Sequence, residues 1–409
     1  MLHSAFCFSG GWGLGKGALP LPQQIFQIIV GAQHAAPLQI LNKETLLKTY
    51  KHLYPRITEF ENLYLAFKSA ARGKRSRHDV AAFEFDLERN LLELQDELQR
   101  QTYKTGGYHN FLIHDPKPRL ISAAPFRDRV AHHALCRVIE PIFEKRFIHD
   151  SYACRVGKGT HAALNRAQEF SKRYPYVLKC DLRHFFPSMD HQILRGQLAR
   201  LIADPQTMWL ASQIIQSGDG IHPDEEQTSQ PQTSEVSKTS EVLQAEVLRA
   251  HGLPIGNLTS QFWANVYLDP LDQFVKRELK CEGYVRYVDD FLLFADDKRD
   301  LHRWKKSIIE FAASLRLKLH ERESVVFPVT TGIPFLGWRE YPDHRRLKQR
   351  NGLAFQRRFK RLLFSFSNSK IKWKDVDASV QSWVAHAAHG QTYGLRRALL
   401  GGVILPRAA

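Results

Sequence analysis

Cysteine is scarce in this sequence, and its pattern excludes two common structural devices. The five cysteines lie at positions 7, 136, 154, 180 and 281, and no two of them form a C-x-x-C pair. We therefore expect reduced thiols in a cytosolic protein rather than a disulfide framework or a zinc site. No apolar stretch is long enough to span a bilayer, and the first nine residues lack the basic start and apolar run of a secretory signal. These absences predict a cytoplasmic protein without a membrane partner.

Acidic residues are outnumbered by basic ones. The chain has 58 Lys and Arg against 42 Asp and Glu, a formal charge of +16. An excess of this size indicates a polyanionic partner, either nucleic acid or an anionic membrane. With 409 residues, 43% of them apolar, the chain can form two or three modules around a sizeable core.

Two adjacent acids, Asp289 and Asp290, are the most informative local feature. They end the sequence Tyr-Val-Asp-Asp and are flanked by short apolar runs at 284–286 and 291–294, which predicts a β-hairpin with two carboxylates at its tip. Adjacent like charges repel, and a divalent cation would offset the repulsion. A solvated turn is the alternative for an isolated Asp-Asp pair. Asp181, at the end of a second strand-like run, supplies a third carboxylate and favours the metal site, to which the carbonyl of Leu182 could add a ligand.

Two further segments could approach a nucleotide. Phe186 follows Asp181 by five residues and could form the floor of a sugar pocket, where its ring would collide with a 2′-hydroxyl. The alternative is that Phe185 and Phe186 are both core residues. The small and turn-forming residues at 252–261 would let the backbone approach a ligand closely. The alternative there is a plain entry into the apolar helix predicted from Phe262.

The remaining pattern predicts the surroundings of this site. We expect a long amphipathic helix over about 83–98, a β-hairpin within 103–125 and a helix from about Phe126 to Phe143. Residues 217–250 are polar and acidic and repeat Thr-Ser-Glu-Val, which is typical of a flexible surface insertion. From about His344 the chain is helical, apolar on one face and cationic on the other, as suits a nucleic-acid backbone.

Taken in order, these motifs resemble the reverse transcriptases of the prokaryotic type. The matches run from a fingers hairpin at 117–122 to Phe-Leu-Gly-Trp at 335–338, which resembles the primer grip of that family. The resemblance covers about residues 50–400. It implies an α+β fold, a right-hand polymerase with fingers, an antiparallel-sheet palm and a helical thumb. The corresponding divisions are a poorly ordered leader (1–45), N-terminal helices and fingers (46–175), a palm (176–340) that contains the insertion 217–250, and a basic thumb (341–409).

The resemblance also implies an activity, RNA-directed DNA synthesis by two-metal phosphoryl transfer. Template RNA, a primer or cDNA strand and deoxynucleotides would be the partners, and two Mg²⁺ ions the cofactors. The implied metal ligands are Asp181, Leu182 through its carbonyl, Asp289 and Asp290, and the three acids are the implied catalytic residues. The implied nucleotide-binding residues are Lys117, Arg119, Phe186, Ile255, Gly256 and Gln261. Ordinary surface charge on a hairpin is the alternative for Lys117 and Arg119.

The loop at 254–256 suggests a subtype. Most reverse transcriptases have Pro-Gln-Gly there, whereas this chain has Pro-Ile-Gly, and the pattern Ile-Gly-x-x-x-Ser-Gln at 255–261 resembles the enzymes of diversity-generating retroelements. That subtype implies error-prone copying opposite adenines and a small basic accessory protein. A group II intron-type or defence-associated enzyme is the alternative, although Ile255 disfavours the intron type. A non-catalytic RNA-binding scaffold is the alternative of another class, against which the three carboxylates argue.

Overall fold

The computed structural model describes residues 48–114, 118–219 and 250–401. The predicted leader, residues 1–45, lies outside the described residues, as do Lys117 and nearly all of the predicted insertion. The described chain is a mixture of helices and antiparallel sheets, which confirms the predicted α+β class. The domain boundaries given above stay predictions.

Fourteen helices and ten strands are numbered here over the described residues. The helices are α1 Tyr54–Thr58, α2 Phe60–Ala71, α3 His78–Phe85, α4 Leu87–Gln99, α5 Phe126–Glu144, α6 Thr160–Arg173, α7 Phe185–Ser188, α8 His191–Ala199, α9 Pro205–Gln216, α10 Leu258–Gln273, α11 Lys298–Ser314, α12 Gln349–Ser367, α13 Trp373–Ala387 and α14 Tyr393–Leu400. The strands are β1 His109–Ile113, β2 Arg119–Ala123, β3 Tyr176–Arg183, β4 Gly283–Tyr287, β5 Asp290–Ala295, β6 Lys318–Leu319, β7 Val325–Pro328, β8 Ile333–Phe335, β9 Trp338–Glu340 and β10 Arg345–Leu347.

The N-terminal helices agree with the sequence prediction except at one point. The predicted long amphipathic helix is interrupted at Asp86, whose φ of −124° and ψ of 54° are not helical. Aspartate competes with helical hydrogen bonding and favours helix ends, so it is a natural break point. Phe85, which the prediction of one continuous amphipathic helix counts among the apolar positions, is instead 94% exposed, so that part of the prediction was wrong. The predicted hairpin is confirmed as β1 and β2, and the helix after it as α5.

Strand β3 is the centre of the main sheet, which we call the palm sheet (β3–β7). One edge of β3 pairs with β5, which pairs in turn with β4, and the other edge pairs with β6 and β7. Every pairing is antiparallel. Because side chains alternate along a strand, Leu178, Cys180 and Leu182 pack into the core on one face, and Val177 joins a second core on the other. Asp181 therefore lies on the same face as Val177.

The C-terminal helices form a small separate core. Phe355 and Phe359 of α12 are buried there together with Trp383 of α13, and the rings of Phe355 and Trp383 stack with centroids 3.9 Å apart. Four basic residues of α12 are exposed, as predicted: Arg357, Arg358, Lys360 and Arg361. This unit contacts the hairpin β8–β9, since Gly390 lies against the ring of Trp338. An amphipathic helix with its cationic face outward thus belongs to a unit that packs against the small sheet β8–β10, which is separate from the palm sheet.

Candidate active site

Asp181 and Asp290 are cross-strand partners. Asp181 of β3 stands directly opposite Asp290, the first residue of β5. Directly opposed side chains project from the same face of a sheet, with Cβ atoms about 4.5–5.5 Å apart. The hairpin predicted from the apolar flanks of Tyr-Val-Asp-Asp is confirmed as β4 and β5. The fold therefore brings together two acids that lie far apart in the sequence.

The turn between β4 and β5 has an unusual backbone. Val288 has a φ of 55°, in the left-handed region that a β-branched side chain strongly disfavours. Two hydrogen bonds hold the turn: the amide of Leu182 donates to the Asp289 carbonyl at 3.3 Å, and a guanidinium nitrogen of Arg286 donates to the Val288 carbonyl at 3.1 Å. Strain of this kind is retained where the surrounding structure fixes it, often at functional sites.

Both acids of the turn have raised pKa values. Burial raises the pKa of Asp289 to about 6, and the charge of Asp181 adds to the rise, while Arg119 and Lys179 oppose it. Burial likewise raises the pKa of Asp290 to about 7, with Lys179 opposing and the other two acids adding to the rise. The three carboxylates therefore repel one another in a poorly hydrated place, and a bound cation would relieve that repulsion.

Lys179 is a member of this site that the sequence analysis did not single out. It lies two residues before Asp181 on β3 and so shares its face of the sheet. Its Nζ is 3.1 Å from Oδ1 of Asp290, an ion pair without the alignment of a hydrogen bond. Because side chains alternate between the two faces of a strand, the strand predicted before Asp181 could have identified Lys179 as its neighbour on the same face.

The carboxylates suit magnesium as part of a coordination sphere. Carboxylate oxygens are the hard ligands that Mg²⁺ prefers, and Mg²⁺ usually takes one or two of them with water and substrate phosphates completing the octahedron. Across residues 48–114, 118–219 and 250–401, no group of three or more His, Cys, Asp or Glu side chains is arranged to hold a metal by itself. The acids could therefore supply part of the coordination sphere of a magnesium ion.

The loop before α10 is fastened to β2. The carbonyl of Ile255 accepts from the Ser122 amide at 2.9 Å, and the side chain of Asn257 donates to the Ser122 carbonyl at 2.9 Å. Gly256 has a φ of 117°, and a Cβ there would lie 2.9 Å from Ile121. Arg119 begins β2 and is exposed. The predicted nucleotide residues Arg119, Ile255 and Gly256 therefore belong to one connected unit, whereas Lys117 lies outside the described residues.

The other two predicted nucleotide residues have different surroundings. Phe185 is 2% exposed and belongs to the core, whereas Phe186 is only partly buried and packs against the edge of the same core. The Phe186 carbonyl accepts from the Leu253 amide at 3.0 Å, which joins it to the loop. Helix α10 begins at Leu258, earlier than predicted, so Gln261 lies in its first turn, where its side-chain oxygen accepts from the Cys154 thiol at 3.3 Å.

A second lysine, Lys348, lies within electrostatic range of Asp290. It precedes α12, and its amide donates to the Gly337 carbonyl at 3.1 Å, within the segment that resembles a primer grip. Burial lowers the pKa of Lys348, nearby arginine adds to the effect, and the charge of Asp290 opposes it. Local sequence offered no signal for Lys348, because its position depends on how the C-terminal helices pack.

Comparison with known proteins identifies the domain. Residues 113–339 match the family model described as reverse transcriptase (RNA-dependent DNA polymerase). Protein YkfC of Escherichia coli is 22% identical over 300 residues, 63% of this chain and 72% of that protein. The group II intron-encoded protein LtrA of Lactococcus lactis is 23% identical over 292 residues, 69% of this chain but 45% of LtrA.

Two more matches extend over only part of the other protein. The mitochondrial nuclear intron maturase 2 of Arabidopsis thaliana is 27% identical over 190 residues, 41% of this chain and 25% of the maturase. A structure of telomerase from Candida albicans aligns with a TM-score of 0.38 and 10% identity over 71% of this chain and 57% of that chain, too distant to support an inference. The family match spans more than half of the sequence and contains all three acids of the site. The chain belongs to the reverse transcriptase (RNA-dependent DNA polymerase) family.

Proposed function

We propose that this protein is an active RNA-directed DNA polymerase that copies template RNA into cDNA. One observation supports this most: Asp181 and Asp290 face each other across β3 and β5, beside Asp289 on a strained turn. A scaffold that only bound RNA would gain nothing from three half-buried, mutually repelling carboxylates. A phosphoryl-transfer site gains a cation-binding centre from them.

The three acids would hold the metal, with the Leu182 carbonyl as a further candidate ligand. Two magnesium ions bound there would lower the pKa of the primer 3′-hydroxyl and neutralise the charge of the departing pyrophosphate. Lys179 would keep Asp290 ionised and oriented, because its ammonium lies 3.1 Å from that carboxylate. Its positive charge favours the deprotonated form of Asp290, which is the form that binds a cation.

The fingers hairpin and the loop before α10 would form the nucleotide site. Arg119 lowers the pKa of Asp289 through its charge, so it lies within electrostatic reach of the acids, as a triphosphate ligand must. Phe186 would close the floor of the sugar pocket and exclude a 2′-hydroxyl. Ile255 and Gly256 would contact the incoming nucleotide, and Gln261, held by Cys154, would border the same pocket. We propose that Lys117, like Arg119, binds the triphosphate of the incoming nucleotide.

The subtype is a separate proposal. Isoleucine at position 255, in place of the usual glutamine, supports a diversity-generating retroelement enzyme, because it removes a hydrogen-bonding restraint beside the nucleotide. A small basic accessory protein would then be a partner. The intron-type alternative has its own support, because LtrA is an intron-encoded protein and another relative is an intron maturase.

A fidelity measurement distinguishes these subtypes. Primer extension on adenine-containing RNA should show frequent misincorporation opposite adenine in the wild type, and Ile255→Gln should reduce it. Accurate copying by the wild type would favour the intron type, and equal error rates in both proteins would remove the role of Ile255.

One substitution in this protein distinguishes an enzyme from a non-catalytic scaffold. With a homopolymer RNA template, a DNA primer and Mg²⁺, the wild type should extend the primer. Asp289→Ala should abolish extension and leave RNA binding in a gel-shift assay unchanged. A wild type that binds RNA but never extends the primer would establish the scaffold instead.

A further inference from the structure

Arg286 is a fully buried arginine whose donors are all satisfied. Its guanidinium makes two hydrogen bonds to Asp272, at 2.7 and 2.6 Å, and one each to Asn265 at 3.3 Å and Ser151 at 3.0 Å. The fifth goes to the carbonyl of Val288 at 3.1 Å. An arginine side chain has five N–H donors in a rigid fork, so each of them has an acceptor here.

The acceptors come from three different parts of the chain. Asp272 and Asn265 belong to α10, and Ser151 lies in a segment that runs beside β4, where the Arg286 amide donates to the Asp150 carbonyl at 2.9 Å. Helix and segment therefore hold the guanidinium in a fixed place. The one remaining acceptor, Val288, belongs to the turn that carries the two acids.

The bond to Val288 opposes the strain of the turn. A valine with a φ of 55° is held against its intrinsic preference, so the turn would relax if its restraints were removed. Arg286 restrains the carbonyl of Val288, and the Leu182 amide restrains that of Asp289. The two peptide groups that set the directions of Asp289 and Asp290 are thus both fixed from outside the turn.

We propose that Arg286 is a positioning residue for the Asp289–Asp290 pair, which it holds in a metal-binding arrangement by fastening the Val288 carbonyl to α10. The catalytic consequence of this role depends on the proposed polymerase function. Its effect on divalent-cation binding can be measured without catalysis. An arginine is required because a lysine has three donors and no fork, so it can pair with Asp272 but cannot also hold Val288 and Ser151.

A matched pair of substitutions separates positioning from stability. Arg286→Lys keeps a positive charge beside Asp272 and removes the fork. Tyr284→Phe removes the hydrogen bond from the Tyr284 hydroxyl to Oδ1 of Asp272, 2.8 Å long, and leaves the bond to Val288 in place. Both changes disturb the buried carboxylate of Asp272. Comparing the melting temperatures of the two variants therefore shows how much of any lost activity is due to lower stability.

The readouts are single-nucleotide incorporation and Mn²⁺ binding followed by electron paramagnetic resonance. Arg286→Lys should lower kcat about 100-fold with KM for the deoxynucleotide nearly unchanged, the effect of misplacing reacting groups by about 1 Å. It should also weaken Mn²⁺ binding to the protein with primer and template. Tyr284→Phe should stay within about threefold of wild type in both measurements.

A second change tests the mechanism directly. Glycine adopts the left-handed conformation without strain, so Val288→Gly added to Arg286→Lys should recover about tenfold in kcat and restore part of the Mn²⁺ affinity. If Arg286→Lys does not fold, Asp272→Asn weakens the same anchor in an isosteric way and should show the same losses and the same recovery.

The proposal is overturned if Arg286→Lys binds Mn²⁺ as tightly as the wild type does. It is also overturned if Arg286→Lys and Tyr284→Phe both lose activity in proportion to their loss of thermal stability. Absence of recovery by Val288→Gly would also overturn it. A wild type without polymerase activity would remove the proposed function, while the Mn²⁺ comparison would still decide the role of Arg286.

Discussion

Asp181 and Asp290 stand opposite each other on adjacent antiparallel strands, and the Lys179 ammonium lies 3.1 Å from the second of them. Two like charges at this spacing, partly removed from water, raise the free energy of the folded state. One lysine compensates for part of that repulsion. The remainder is available to drive the binding of a cation, which would link the proposed metal requirement to the fold.

Removing Lys179 should raise the magnesium requirement. In Lys179→Met the pKa of Asp290 loses a lowering influence, so protons compete better with the metal and the Mg²⁺ concentration for half-maximal extension at pH 7 should rise by about tenfold. Raising the pH should restore much of the loss. Lys306→Met, an exposed change on α11, is the control. An unchanged magnesium response would contradict the role given to Lys179.

Stability without divalent metal should fall between about pH 4 and pH 7. The unfolded carboxyl groups of Asp289 and Asp290 lose their protons near 3.8, whereas the folded ones retain them to about 6 and 7. The native state therefore binds more protons over this range, and stability decreases as the pH rises, then levels off. Divalent metal should raise the melting temperature more at pH 8 than at pH 5.

The control for that measurement is the double variant Asp289→Asn, Asp290→Asn. Its melting temperature should depend less steeply on pH over the same range and respond little to added metal. If wild type and double variant gave parallel curves, other groups would account for the pH dependence.

Phe186→Ala should admit ribonucleotides. The ring is only partly buried and lies beside the buried Phe185, with centroids 5.4 Å apart, so its removal opens space without emptying the core. The preference for deoxynucleotides, measured as the ratio of kcat/KM values, should drop roughly 10–100-fold. An unchanged ratio with normal extension would show that another group excludes the 2′-hydroxyl.

Gly390→Ala should loosen the C-terminal helices from the palm. A Cβ at this position would lie 2.4 Å from the Trp338 ring and 2.9 Å from the Arg345 carbonyl, and the backbone cannot move aside easily. We expect a destabilisation of about 1–3 kcal/mol by denaturant unfolding. Gly394→Ala, with nothing within 4 Å, is the matched control and should be neutral or slightly stabilising. Equal stability of the two variants would contradict this contact.

The sequence predicted the parts of the site that depend on local pattern. The short apolar runs on either side of Asp289 and Asp290 indicate a hairpin, and a strand that ends near Asp181 follows from the same kind of local pattern. The strand pairing that sets Asp181 opposite Asp290 was not derivable from either pattern, since it depends on the whole palm sheet. It was expected because the motif order resembled a known family.

Long-range contacts account for what was missed. The packing of α12 brings Lys348 within electrostatic range of Asp290. The five bonds of Arg286 join segments whose proximity no local pattern reveals. The break at Asp86 was missed for the opposite reason, because apolar spacing continued across it while one residue left the helical conformation.

The most direct test of the central claim is the single-nucleotide incorporation rate of Asp181→Asn on an RNA template with Mg²⁺. The change keeps the size of the side chain and removes its charge, so strand pairing and RNA binding should persist while the rate falls by at least about 10²–10³-fold. Asp297→Asn, at the N-cap of α11, should behave as wild type. Incorporation by Asp181→Asn at the wild-type rate would contradict the assignment of these acids as the catalytic centre.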